Sequence, residues 1–242
     1  MIIALLFLVQ IALFVGGILG PWRDAPERKN NGRLPLVARM LLSFSLLVAA
    51  LLIWLFQPDR PASLGIGQPY VQWVLFGMFA SFIGDLIMAR LIPTPNRLIG
   101  GMIAFGIAHA LYITAYVQTL RANAAELPNT GLWIGLGLYG VISIFGWWLL
   151  IRNPARGTAI NLGALVYGVW IGAMASFALA LAVGLGGGWW IAALGGLLFV
   201  ASDFIIGITD IRGIALKNAN DWVWLTYVAG QMGIVYAGAL LQ

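Results

Sequence analysis

Residues 159–184 read AINLGALVYGVWIGAMASFALALAVG, 26 residues without one Asp, Glu, Lys or Arg. A helix rises about 1.5 Å per residue, so some 20 apolar residues cross the hydrocarbon core of a bilayer. This stretch is long enough to span. Working outward from it, the chain divides into eight such runs, at roughly 1–20, 34–56, 69–91, 98–120, 130–151, 159–184, 188–208 and 222–241. They predict an all-α polytopic membrane protein: one integral membrane domain, 1–242, built as a bundle of eight transmembrane helices with short loops. The first run has no basic residue before it and no A-x-A-like cleavage site after it, so it reads as a span rather than a removable signal peptide.

Composition agrees. The 242 residues are 62% hydrophobic and only 9% charged, against roughly a quarter charged in an ordinary soluble domain. A soluble monomer of this size would need far more polar surface. With no cysteine, disulfide frameworks, thiolate zinc sites, iron–sulfur clusters and cysteine nucleophiles are excluded. A single histidine, His109, leaves no His-rich metal site, and the reading calls for no metal and no cofactor. The net charge of +5 does not point to nucleic acid, because the basic residues lie between apolar runs instead of forming a stripe on a folded surface.

Those basic residues set an orientation. Arg23, Arg28, Lys29, Arg33 and Arg39 lie between spans 1 and 2 or in the first turns of span 2. Arg90 and Arg97 connect spans 3 and 4, Arg152 and Arg156 connect 5 and 6, and Arg212 and Lys217 connect 7 and 8. The other side has only Arg60 and Arg121. The asymmetry predicts cytoplasmic odd-numbered loops, both termini extracytoplasmic, and a multi-pass protein of a cell membrane of the bacterial plasma-membrane type. All tryptophans but Trp170 fall near span ends, as an interfacial aromatic belt would have them. Gly16/Gly20, Gly131/Gly135 and Gly168/Gly172 are small-xxx-small pairs suited to close helix packing. The GxGxxG match at residues 135–140 lies inside a spanning run with no strand before it, so it reads as packing glycine.

Ionisable side chains inside a span are expensive and point to function. Asp85 in span 3, Asp203 in span 7 and His109 in span 4 qualify; the other six acidic residues lie in loops or at helix ends. Asp85 precedes its span's inner end by about six residues and Asp203 by about five, which puts both about 8–10 Å inside the cytoplasmic edge. Spans 4 and 8 start on that side and bring Tyr227 to a similar level, with His109, Gln231 and Tyr112 deeper. Ser81 is one turn before Asp85 on the same face, and Ser202 adjoins Asp203. The expected result is a polar layer forming a pocket open to the cytoplasmic leaflet. His109 follows Asp85 by 24 residues and Tyr227 follows Asp203 by 24, a spacing that would suit a four-plus-four duplication.

On these residues the chain resembles the YhhN/TMEM86 family of lysoplasmalogenase-like integral membrane proteins. The matching stretches are Ser81-Phe-Ile-Gly-Asp85, Gly100-Gly-Met-Ile-Ala-Phe105-Gly-Ile-Ala-His109-Ala-Leu-Tyr112, Leu198-Phe-Val-Ala-Ser202-Asp203 and Tyr227-Val-Ala-Gly-Gln231. Tyr167 in span 6 looks like the family's tyrosine there. The resemblance implies an ether hydrolase that cleaves the vinyl ether bond of lysoplasmalogens to a fatty aldehyde and a glycerophospho-ethanolamine or -choline. It implies Asp85 and Asp203 as catalytic residues and a lysophospholipid substrate drawn from the membrane.

Vinyl ether hydrolysis needs a proton delivered to the alkene carbon remote from oxygen, and then water added to the oxocarbenium ion. Two carboxyls in one dry layer would divide that work as they do in glycoside hydrolysis. His109, Tyr227 and Gln231 would orient water or hold the carboxyls, and Arg90 and Arg97 would meet the lipid phosphate. The alternative is a proton-coupled transporter or lipid-binding membrane protein with Asp85, His109 and Asp203 as a relay.

Overall fold

The computed structural model describes residues 2–20, 32–56 and 68–240. Arg23, Arg28, Lys29 and Arg60, used above for orientation, and Trp22 lie outside the described residues. Among the described residues eight α-helices follow one another: α1 (Ile2–Leu19), α2 (Leu36–Leu55), α3 (Gln68–Met88), α4 (Arg97–Ala122), α5 (Thr130–Gly146), α6 (Thr158–Leu185), α7 (Trp190–Ile206) and α8 (Ala219–Leu240). Among the described residues there is no strand. Six segments are long and apolar enough to cross a membrane: Leu36–Leu55, Pro69–Met88, Arg97–Ala122, Thr130–Ile151, Thr158–Leu185 and Gly187–Arg212. The apolar part of α1, Ala4–Leu19, is shorter. The chain is a polytopic helical membrane protein.

The helix limits follow local chemistry. Asn96 caps α4, its side-chain oxygen accepting from the backbone N–H groups of Leu98 and Ile99 at 3.0 and 3.3 Å, and Asn129 caps α5 through the Leu132 N–H at 3.0 Å; both satisfy donors that a helix start leaves open. Two spans run on in wider π-turns, Trp147–Ile151 after α5 and Gly207–Arg212 after α7, the latter stopped by Gly213 at φ 83°. Expected span ends shift accordingly. Span 3 stops at Met88 and span 7 continues to Arg212, so both helix ends differ from the expected ones. Asp85 lies three residues from its end and Asp203 nine.

The closest pairings are the hairpins α3–α4, α5–α6 and α7–α8. Neighbour relations in the first four helices recur in the second four: α1 on α2 and α2 on α3, then α5 on α6 and α6 on α7, with α2 against α8 and α6 against α4. The bundle is held by small residues at these seams. Gly131 meets the Leu179 carbonyl and Gly135 the Ser176 backbone, on the α5–α6 seam where Gly172 also meets Tyr139. A Cβ on Gly16 would meet nothing within 4 Å among the described residues. The α7–α8 seam brings backbone onto backbone as well. A Cβ on Gly195 would stand 2.7 Å from the Gly230 carbonyl, and one on Gly233 would stand 2.8 Å from the Ile191 carbonyl.

Large apolar side chains such as Leu5, Phe44, Ile103, Trp133, Leu149 and Leu194 point outward, as a surface facing lipid requires. Two tryptophans expected in the belt are in the core instead. Trp189 packs edge-on against Tyr70 at 4.9 Å, and Trp224 lies against Tyr227 at 5.4 Å; both are buried. Trp170 reaches from α6 to the Gly106 carbonyl of α4 at 2.9 Å.

The helix ends carrying most of the described basic residues gather at one end of the bundle. Both carboxylate oxygens of Asp221 at the start of α8 accept from the Arg33 N–H, and one also accepts from the Leu34 N–H at 3.0 Å, just before α2. Arg97 at the start of α4 forms an ion pair with Asp210 after α7 at 2.7 Å, and Asn153 after α5 donates to the Ile211 carbonyl at 2.9 Å.

Candidate active site

Asp85 sits on α3 one residue after Gly84, where a side chain would collide with the Phe105 ring from α4. The glycine lets Phe105 close against α3, which buries Asp85. One carboxylate oxygen, Oδ2, accepts from the Ser43 hydroxyl of α2 and from the Tyr227 hydroxyl of α8, the latter at 2.6 Å. Arg39, one turn before Ser43 and stacked 5.8 Å over the Trp224 ring, lies within electrostatic reach of the same carboxylate. Tyr227 connects Asp85 to a buried chain of polar groups. Gln231 Nε2 donates to the Tyr227 oxygen at 3.4 Å, the Tyr112 hydroxyl donates to Gln231 Oε1 at 2.8 Å, and Ser81 lies 3.4 Å from the Tyr112 oxygen. Every partner here is itself buried, so the chain is rigid and largely satisfied.

Asp203 is held differently. It stands on α7, accepts from the Tyr167 hydroxyl of α6 at 2.5 Å, and is half-buried. It lines a cleft between α4, α5, α6 and α7 whose empty space, mouth included, is about 740 Å³. The other walls are mostly apolar: Met102, Phe105, Ile151, Val200 and Phe204 among them. Asp85 and Asp203 lie within electrostatic reach of one another.

His109 is fully buried, its ring 4.9 Å edge-on from Phe199 and 5.6 Å from Tyr167. Neither ring nitrogen has a hydrogen-bond partner among the described residues. A buried neutral imidazole carries one donor and one acceptor, and leaving either unmet costs about 1–3 kcal/mol. The group is therefore built for a partner such as water or ligand.

Eight of the expected residues thus come together: Asp85, Asp203, Ser81, His109, Tyr112, Tyr167, Tyr227 and Gln231. Three do not. Ser202 turns to the Val223 carbonyl at 3.2 Å and bonds α7 to α8. Arg97 is engaged with Asp210, and Arg90 is exposed in the α3–α4 connection. Sequence reasoning missed Ser43 and the nearness of Arg39. Ser43 had a legible signal, a hydroxyl inside an otherwise apolar run, but Ser45 offers the same signal and merely bonds its own helix at the Leu42 carbonyl. Among the described residues no three of His, Asp or Glu assemble as metal ligands.

A family model described as the YhhN family matches residues 34–238. The chain belongs to the YhhN family. The matched segment runs from just before α2 into α8 and so contains every helix that contributes to the site. Searches of curated proteins and of solved structures gave no match. YhhN membership therefore rests on the sequence model, and the geometry above belongs to this chain.

Proposed function

We propose that this YhhN protein is an intramembrane, lysoplasmalogenase-like ether hydrolase that releases a fatty aldehyde from a lysoplasmalogen and leaves a glycerophospho-ethanolamine or -choline. The observation that carries the reading is the carboxyl pair: Asp85 and Asp203, within electrostatic reach of one another inside an apolar bundle, one of them facing an apolar cleft. Protonation of the alkene carbon remote from oxygen gives an oxocarbenium ion. Water adds to that ion, and the hemiacetal collapses to aldehyde and alcohol. A carboxyl supplies the proton and a carboxylate faces the cation, the arrangement used on acetal centres of sugars. Tyr167 and Tyr227 fix the two carboxyls, and His109 is placed to hold water.

In this reading all eight helices, residues 1–242, form one membrane domain, with both termini outside and the basic end of the bundle in the cytoplasm. The lipid enters from the cytoplasmic leaflet. A transporter that relays protons through Asp85, His109 and Asp203 is less well supported, because His109 has no hydrogen bond to either aspartate. Incubation of the purified protein with lysoplasmalogen, measuring fatty aldehyde, decides between hydrolase and transporter; an ester-linked lysophospholipid serves as control for the bond. Asp85→Asn and Asp203→Asn are each expected to lower aldehyde release, by about 10²–10⁴-fold where the lost carboxyl is the one that transfers the proton. Full activity in either variant removes that residue from the mechanism.

A further inference from the structure

The two carboxyls have unequal surroundings. Asp203 stands on the cleft wall with one hydroxyl donor, Tyr167, among the described residues. Asp85 does not line the cleft, is only 5% exposed, and has Ser43 and Tyr227 on one oxygen with the Arg39 cation in reach. Aromatic rings join the cleft wall to the residue that holds Asp85. Phe105, which forms part of the cleft wall, packs edge-on at 6.1 Å against Tyr227, the residue that holds Asp85, and Phe199 packs on both rings at 6.2 and 5.3 Å. A chain lying in the cleft meets Asp203 and the face of that wall.

We infer that Asp203 is the carboxyl that meets the lipid and protonates it, and that Asp85 is a positioning residue acting from behind the wall through Tyr227. The chemistry rests on the hydrolase reading; the assignment of the exposed carboxyl does not. The Asp203 O–H proton passes to the remote alkene carbon, whose π pair forms the new C–H bond. The resulting carboxylate faces the oxocarbenium ion. Water bonds to the carbon bearing oxygen and returns a proton to Asp203. The hemiacetal hydroxyl proton then moves to the glycerol oxygen as that C–O bond breaks, which releases aldehyde and alcohol with Asp203 restored.

The test uses dicyclohexylcarbodiimide, an apolar reagent, on the purified full chain in detergent. A carboxyl adds across the N=C=N group, its oxygen to carbon and its proton to nitrogen, and rearranges to a stable N-acylurea that mass spectrometry locates. The adduct is expected on Asp203, absent in Asp203→Asn and retained in Asp85→Asn. A saturated alkyl-ether lysophospholipid, which lacks the vinyl bond, should slow it severalfold by filling the cleft. An adduct on Asp85, equal adducts on both, none on either, or no protection by the lipid overturns the assignment. Kinetics give a second readout: Asp85→Asn should lower kcat with KM held within about twofold, as expected for a residue that does not touch substrate, and a large rise in KM overturns it. Labelling needs no turnover, so absence of aldehyde would sink the hydrolase reading and leave the labelling result to stand or fall alone.

Discussion

At the scale of single residues, His109 is the most informative. It is fully buried, wedged between Phe199 and Tyr167, and neither ring nitrogen has a partner among the described residues. Such a group lowers stability unless something met only in the working protein satisfies it. Replacement by an aromatic ring without polar atoms removes the burden while filling a similar space. His109→Phe is therefore expected to match or exceed the parent in thermal stability, measured as Tm in detergent, while aldehyde release falls at least about tenfold. A marked loss of Tm would mean that the imidazole is structural. Asp85, Asp203 and His109 were legible in the sequence because charge inside an apolar run stands out. Ser43 was not, since hydroxyls in membrane helices commonly bond their own backbone, as Thr119 and Ser176 do here, and only packing shows which ones reach across.

Among the elements, the α7–α8 seam is the joint on which the site depends, because α7 carries Asp203 and α8 carries Tyr227 and Gln231. Backbone lies on backbone there: a Cβ on Gly230 would stand 2.9 Å from the Gly195 carbonyl and 3.0 Å from the Phe199 nitrogen. No flexible side chain is available to move aside. Gly230→Val must push the helices apart, with an expected loss of about 1–3 kcal/mol or more in an unfolding measurement. Displacement of Tyr227 from Asp85 should remove activity with it. Gly137→Val is the control, since Gly137 meets nothing within 4 Å, and it should leave both stability and activity near the parent. In sequence the two glycines look alike. With 31 glycines in the chain, small-residue spacing found the α5–α6 contacts at Gly131 and Gly135 but gave no preference to Gly195, Gly230 or Gly233, because helix register against a partner is a property of pairs of helices.

Taken whole, the molecule has a basic end and a nearly uncharged one. Arg33, Arg39, Arg90, Arg97, Arg152, Arg156, Arg212 and Lys217 belong to the connections or helix ends of the first, and contacts such as Arg97–Asp210 and Asp221 with residues 33–34 hold those connections together. Among the described residues Arg121 is the basic residue of the opposite end. In the proposed topology, which follows the positive-inside rule, the first end faces the cytoplasm. The chain has no cysteine, so a single introduced thiol reports its side without background. In intact cells, Glu126→Cys is expected to react with a membrane-impermeant maleimide and Arg156→Cys only after lysis. The reverse pattern would invert the proposed topology.

The sequence by itself determined that this chain is a helical membrane protein, where its helices lie to within a few residues, and which two carboxyls are out of place among them. Each of these follows from properties that every residue carries locally: apolarity, helical rise and charge. The family, too, was legible in the order of a few short stretches. It took the packed bundle to show that Ser43 and Tyr227 share one oxygen of Asp85, that Tyr167 donates to Asp203, that Arg97 is paired with Asp210, and that one aspartate faces a cleft while the other lies behind an aromatic wall. Those are relations between residues 36 to 142 positions apart. They depend on how helices rotate and press on one another, which close packing among all eight fixes at once and which no single run of sequence contains.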